Sequence, residues 1–81
     1  MDNNTAIIDR KVWNFIEDAS EQACAEYGVD EKEVWDDRRF GYLQEFADGL
    51  IQEVLEWGRS YESVRFSAVN YVRAVIMQFA A

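Results

Sequence analysis

Apolar residues recur at spacings of three and four along three stretches of this chain, and polar residues fill the positions between them. In the first stretch, 5–27, Ile8, Val12, Phe15, Ile16, Ala19, Ala23 and Tyr27 share one side of a helix that turns once per ~3.6 residues. Asn14, Glu17, Asp18, Glu21 and Ala25 take the other side. The second stretch, 40–57, repeats the pattern, with Leu43, Phe46, Ala47, Leu50, Ile51, Val54 and Trp57 facing in and Glu45, Asp48, Gln52 and Glu56 facing out. The third, 60–80, opens on Ser60, a good N-cap, and sets Glu62 near the positive end of the helix dipole. Its inward face is Tyr61, Val64, Ala68, Val72, Val75, Ile76 and Phe79. Three long helices are therefore expected.

The punctuation between them comes from glycine, because the chain has no proline. Gly28 and Gly58 each follow a long periodic stretch, where glycine can take the left-handed conformation that ends a helix. Between Gly28 and Gly41 lies VDEKEVWDDRRF, in which Asp30 followed three residues later by Glu33 is a variant of the capping box. A short helix over 30–38 should start there and bury Val34 and Trp35, with a break or kink at Gly41. Tryptophans at 13, 35 and 57 are evenly spaced, but beyond Val12-Trp13 and Val34-Trp35 the flanking residues do not align, so no repeat is read. The expected fold is all-α: residues 1–81 form a single domain, a compact bundle of three principal helices plus a short one.

Composition narrows what such a bundle does. With 81 residues, one hydrophobic core is just sufficient. A hydrophobic fraction of 49% and an aromatic fraction of 15% are too high for a disordered acidic tail. Cys24 is the only cysteine, so no disulfide forms within the chain, and a lone thiol suits a reducing cytoplasm. There is no histidine, which argues against a Cys/His zinc site and removes the commonest general base. MDNNTAIIDRK lacks the basic and apolar regions of a signal peptide, and no apolar run reaches the roughly 20 residues of a membrane span. A cytoplasmic location is expected.

The formal charge is −8, and it is unevenly placed. Thirteen acids lie between Glu17 and Glu56 against Lys32, Arg38 and Arg39, whereas after Glu56 three arginines face Glu62 alone. Such a field repels nucleic acid and anionic membrane and attracts basic protein surfaces.

Catalysis finds little support. Asp36, Asp37, Arg38 and Arg39 are consecutive, so on a helix they point in different directions and read as caps and surface ion pairs. The acids from Asp30 to Asp37 have the wrong spacing for a calcium loop. Cys24, Tyr27, Ser60 and Tyr61 have no base placed beside them, and Cys24 reads as a structural thiol. No catalytic residue, cofactor or metal is expected.

The outward acids are more informative. Glu45, Asp48, Gln52 and Glu56 form a row down one helix, and Glu17 and Glu21 are four apart on another. Exposed helices ordinarily mix lysine with glutamate, and these rows contain almost none. The third helix carries a second stripe, Phe66, Asn70, Arg73 and Met77, opposite its inward face, which fits a partner surface such as a second copy of the chain. Arg65, beside the inward face, is expected to pair with an acid of a neighbouring helix.

In size, acidity and helical content the chain resembles small phage-encoded anti-defence proteins and DNA mimics, including anti-CRISPR proteins; the resemblance is one of kind and rests on no motif. It implies a non-enzymatic inhibitor that occupies the phosphate-binding groove of a basic, nucleic-acid-handling protein. The residues expected to bind are Glu17, Asp18, Glu21, Asp36, Asp37, Glu45, Asp48, Glu53 and Glu56. The competing expectation is a homo-oligomeric structural or adaptor protein that works through the third helix. An antitoxin or immunity-type neutraliser would use both charge and aromatics.

Overall fold

The computed structural model describes residues 3–80, apart from the side chains at 39 and 40. The helices are α1 (Asn3–Tyr27), α2 (Glu31–Asp36), α3 (Tyr42–Trp57) and α4 (Tyr61–Ala80), with a 3-10 turn at Arg38–Gly41, and no strand occurs among the described residues. The fold is the expected all-α bundle.

Contacts between side chains fix the topology. Lys11 sits 4.6 Å above the Tyr61 ring near the start of both α1 and α4, and Arg73 meets Glu26 at 2.9 Å toward their far ends. These two helices therefore run in the same direction. Phe46 and Tyr71 stack with ring centroids 4.0 Å apart and planes 9° from parallel, on either side of the turn at Gly58. α3 and α4 are thus an antiparallel hairpin. α1 packs most extensively on α4 and next on α3, so it is the common wall of the core. The molecule measures 38 × 22 × 15 Å, and its long axis matches α1, whose 25 residues span about 38 Å at 1.5 Å each.

Each long helix contributes one buried row. Ile8, Val12, Ile16, Ala19 and Ala23 of α1 meet Leu43, Ala47, Leu50 and Ile51 of α3 and Val64, Ala68, Val72 and Ile76 of α4. Val34 brings α2 onto the end of this core. Ser20 and Cys24 are also buried on α1. Burying an aliphatic side chain contributes roughly 1.5–3 kcal/mol, and this is the interaction that holds the bundle against chain entropy.

The helix ends follow the glycines and the caps. Gly28 and Gly58 both take positive φ, 69° and 65°, where only glycine is unstrained. The Val29 N–H then bonds the Cys24 carbonyl at 3.0 Å, and the Gly58 N–H bonds that of Val54 at 3.1 Å. Arg59 locks the second turn: its guanidinium reaches the Glu53 carboxylate, the Ser67 hydroxyl and the Ser63 carbonyl, and its Nε bonds the Ser63 hydroxyl at 2.9 Å. Ser60 caps α4 by accepting from the Ser63 N–H at 3.2 Å.

Several expectations need correction. The break falls at Asp37, not Gly41: Asp37 is extended, and its N–H closes α2 on the Val34 carbonyl, while Gly41 keeps helical angles and leads straight into α3. α2 is consequently six residues long rather than nine. Asp30 caps α2 by accepting from the Lys32 N–H at 3.0 Å, without the reciprocal Glu33 bond of a full box. Trp57 is not core but 76% exposed, because it is the last residue of α3 and the bundle ends where the chain turns. Trp35 is exposed as well, with its indole N–H directed to Glu31 one turn earlier.

Candidate functional site

The acids of α3 form one exposed row. A helix advances about 100° per residue, so Glu45, Asp48, Gln52 and Glu56 stay on the side turned away from the buried Leu43, Ala47 and Leu50. From Glu45 to Glu56 the row extends about 16 Å. Neutral donors hold two of its carboxylates: the Gln44 amide bonds Asp48 at 3.1 Å and the Gln52 amide bonds Glu56 at 2.9 Å. Among the described residues, no lysine or arginine pairs with Glu45, Asp48 or Glu56. Asp48 and Glu56 are oriented by neutral glutamines of their own helix.

Next to the row, α1 and α3 flank an open groove of about 370 Å³ lined by Thr5, Asp9, Asp48, Ile51, Gln52 and Leu55. Asp9 is not among the residues that the sequence pattern singles out. It falls at the margin of the apolar face of α1, and only knowing which side α3 covers brings it opposite Asp48.

The other expected binding residues are dispersed. Glu17 and Glu21 are exposed on α1, away from its buried row. Asp18 points the other way and lines a small cleft with Arg65 and Gln22 on the α1–α4 side. Arg65 itself is exposed there, without the ion pair expected of it among the described residues. Asp36 and Asp37 close α2. Glu53 is engaged by Arg59 in the α3–α4 turn, so its charge is largely neutralised within the chain. The structure thus gathers Glu45, Asp48 and Glu56, and adds Asp9.

The second stripe divides as well. Phe66 is 70% exposed, Met77 51%, and Asn70 lies exposed between them. Arg73 instead reaches back to α1, with two contacts to the Glu26 carboxylate, at 2.9 and 3.1 Å, and one to the Tyr27 hydroxyl at 3.4 Å. The hydrogen bond to Glu26 favours its charged form and holds its pKa above the usual arginine value. It is a tie between helices. Lys11, Arg65 and Arg73 therefore lie along the α1–α4 side, and Asp48 of α3 lies on the α1–α3 side.

Cys24 is buried, and burial pushes its thiol pKa up; the nearby charges of Glu31 and Asp30 act in the same direction. The Ser20 hydroxyl, one turn earlier, opposes this, and more strongly than either acid reinforces it, but burial prevails. The thiol stays protonated at neutral pH and is a poor nucleophile. Among the described residues, no three acids or thiols converge in metal-ligating geometry, and no helix is long and apolar enough to cross a membrane.

No protein-family model, curated protein or solved structure matches the chain.

Proposed function

We propose that this protein is a non-enzymatic inhibitor of a basic, nucleic-acid-handling protein, of the phage anti-defence kind that includes anti-CRISPR proteins and DNA mimics. The observation that carries the reading is the exposed row Glu45, Asp48 and Glu56, whose internal donors are glutamines and not cations. Along the helix axis the three carboxylates fall about 4.5 Å and then about 12 Å apart, with Gln52 in the turn between, against one phosphate per ~3.4 Å of a nucleic-acid strand. The row therefore imitates a line of negative charge rather than the register of individual phosphates. A groove lined with arginine and lysine would accept it, and opposite charge would speed encounter. Occupation then blocks nucleic acid by exclusion, without chemistry.

Affinity capture on the immobilised protein tests this. Basic nucleic-acid-binding proteins are expected to be retained from bacterial lysate and released both by salt and by competing duplex DNA. Retention that neither salt nor DNA disturbs would refute the reading.

One observation favours a second reading, a homo-oligomeric structural or adaptor protein: Phe66 and Met77 are exposed on one side of α4, where net charge is low. On that reading the acids maintain solubility. Phe66→Glu with Met77→Glu is expected to convert a dimer to a monomer by sedimentation, and a wild-type chain already monomeric at high micromolar concentration would exclude it. An antitoxin or immunity-type neutraliser would combine both surfaces.

A further inference from the structure

The α1–α3 groove has a chemistry more specific than that of an acidic surface. Its residues form two opposed helical rows: Thr5 and Asp9, four apart on α1, and Asp48, Ile51, Gln52 and Leu55, at i, i+3, i+4 and i+7 on α3. Ile51 is 8% exposed and supplies an apolar floor, while Leu55, 47% exposed, leaves apolar surface uncovered at one end. Asp9 and Asp48 bring a carboxylate from each wall, and neither has a cationic partner among the described residues. A lone exposed leucine needs no explanation, but a leucine continuous with a floor between two carboxylates, of which Asp48 accepts only from the neutral Gln44 amide, has the composition of a site for an amphipathic cation.

We propose that this groove receives an arginine side chain of the protein partner, with its aliphatic stem on Ile51 and Leu55 and its guanidinium between Asp9 and Asp48. The inference rests on the inhibitor reading above and names the chemistry of its contact. Arginine fits better than lysine because the planar guanidinium is weakly hydrated and has donors on several edges, so it can serve two carboxylates at once. Gln52, bonded to Glu56, places a further carboxylate beside the groove for a neighbouring cation of the same partner. The phosphate-binding surface of a nucleic-acid-handling protein presents such arginines, spaced for phosphates and accessible when nucleic acid is absent.

The test is titration of isotope-labelled protein with acetyl-arginine amide in 0.15 M salt, followed by NMR. Saturable shifts are expected at the Ile51 and Leu55 methyl groups and at the Asp9 and Asp48 amides, with acetyl-lysine amide binding several-fold more weakly. Asp9→Asn and Asp48→Asn should each weaken binding at least threefold, whereas Glu33→Gln, at an exposed acid of α2, should leave it unchanged. Leu55→Ser should remove the advantage of acetyl-arginine amide over guanidinium ion, which has no stem. Shifts that do not saturate, or that spread evenly over Glu17, Glu21 and Glu33, would overturn the groove assignment. That failure is separable from failure of the inhibitor reading: capture of a basic partner that survives Asp9→Asn unchanged keeps the inhibitor and discards the groove.

Discussion

Ile16→Ala is expected to lower the unfolding free energy by about 2–5 kcal/mol, the usual cost of removing a large aliphatic side chain from a packed core. Ile16 is fully buried at the middle of α1, the helix that α3 and α4 share, so its removal leaves a cavity that cannot be filled by moving one neighbour. A domain of 81 residues has roughly 4–12 kcal/mol of stability at ~0.05–0.15 kcal/mol per residue, so the variant should be near its threshold for folding. Ile7→Ala is the control, because it deletes the same atoms from the same helix at a side chain 52% exposed. Its effect should stay within about 0.5 kcal/mol. Urea denaturation followed by far-ultraviolet circular dichroism would measure both. Equal losses at the two positions would contradict the assignment of Ile16 to the buried face and Ile7 to the solvent face of α1.

The contrast between Ile16 and Ile7 also shows why the fold is legible in the sequence. Both are isoleucines in one helix, and only their phase relative to Val12, Ala19 and Ala23 separates core from surface. That phase is local information, repeated over several turns, and it places all three long helices. Chain ends and changes of helix type carry no such repetition. Trp57 is in phase with the core of α3, yet its ring is exposed, because burial also needs a neighbour and the bundle stops at Gly58. Gly41 reads as a break on propensity, but a cost of about 1 kcal/mol for glycine in a helix is easily overridden, and the break falls at Asp37, whose extended backbone ends α2. The acids of α3 are legible for the same reason as its core, as the opposite phase. Their isolation from cations is not. That Glu53 is engaged by Arg59 and Arg73 by Glu26 depends on the path of a turn and on the parallel alignment of α1 with α4. Neither is written in any one segment. Asp9 escapes a reading by periodicity because a groove belongs to two helices, and spacing within one helix cannot show what faces it.

Combined Glu45→Lys, Asp48→Lys and Glu56→Lys is expected to reduce capture and inhibition of the basic partner by more than about 100-fold, with helicity unchanged. Interfacial electrostatics sets that size: removing one side of a desolvated charge pair costs about 2–5 kcal/mol, and 1.4 kcal/mol is a tenfold change in affinity. Reversal replaces attraction by repulsion at three points along one line, so a single well-formed ion pair is enough to reach that figure. Folding should survive, because all three side chains are exposed and the bonds of Asp48 and Glu56 are to glutamines of their own helix. A matched variant, Glu17→Lys with Asp18→Lys and Glu21→Lys, changes net charge by the same amount on α1. If only overall charge steers the encounter, the two variants should lose binding equally and regain it equally at low salt. If the α3 row is the contact, the first should lose far more, mainly through faster dissociation, while the second slows association and responds more strongly to salt. Undiminished inhibition by the α3 variant would refute the acidic row as the working surface and direct attention to Phe66 and Met77 on α4.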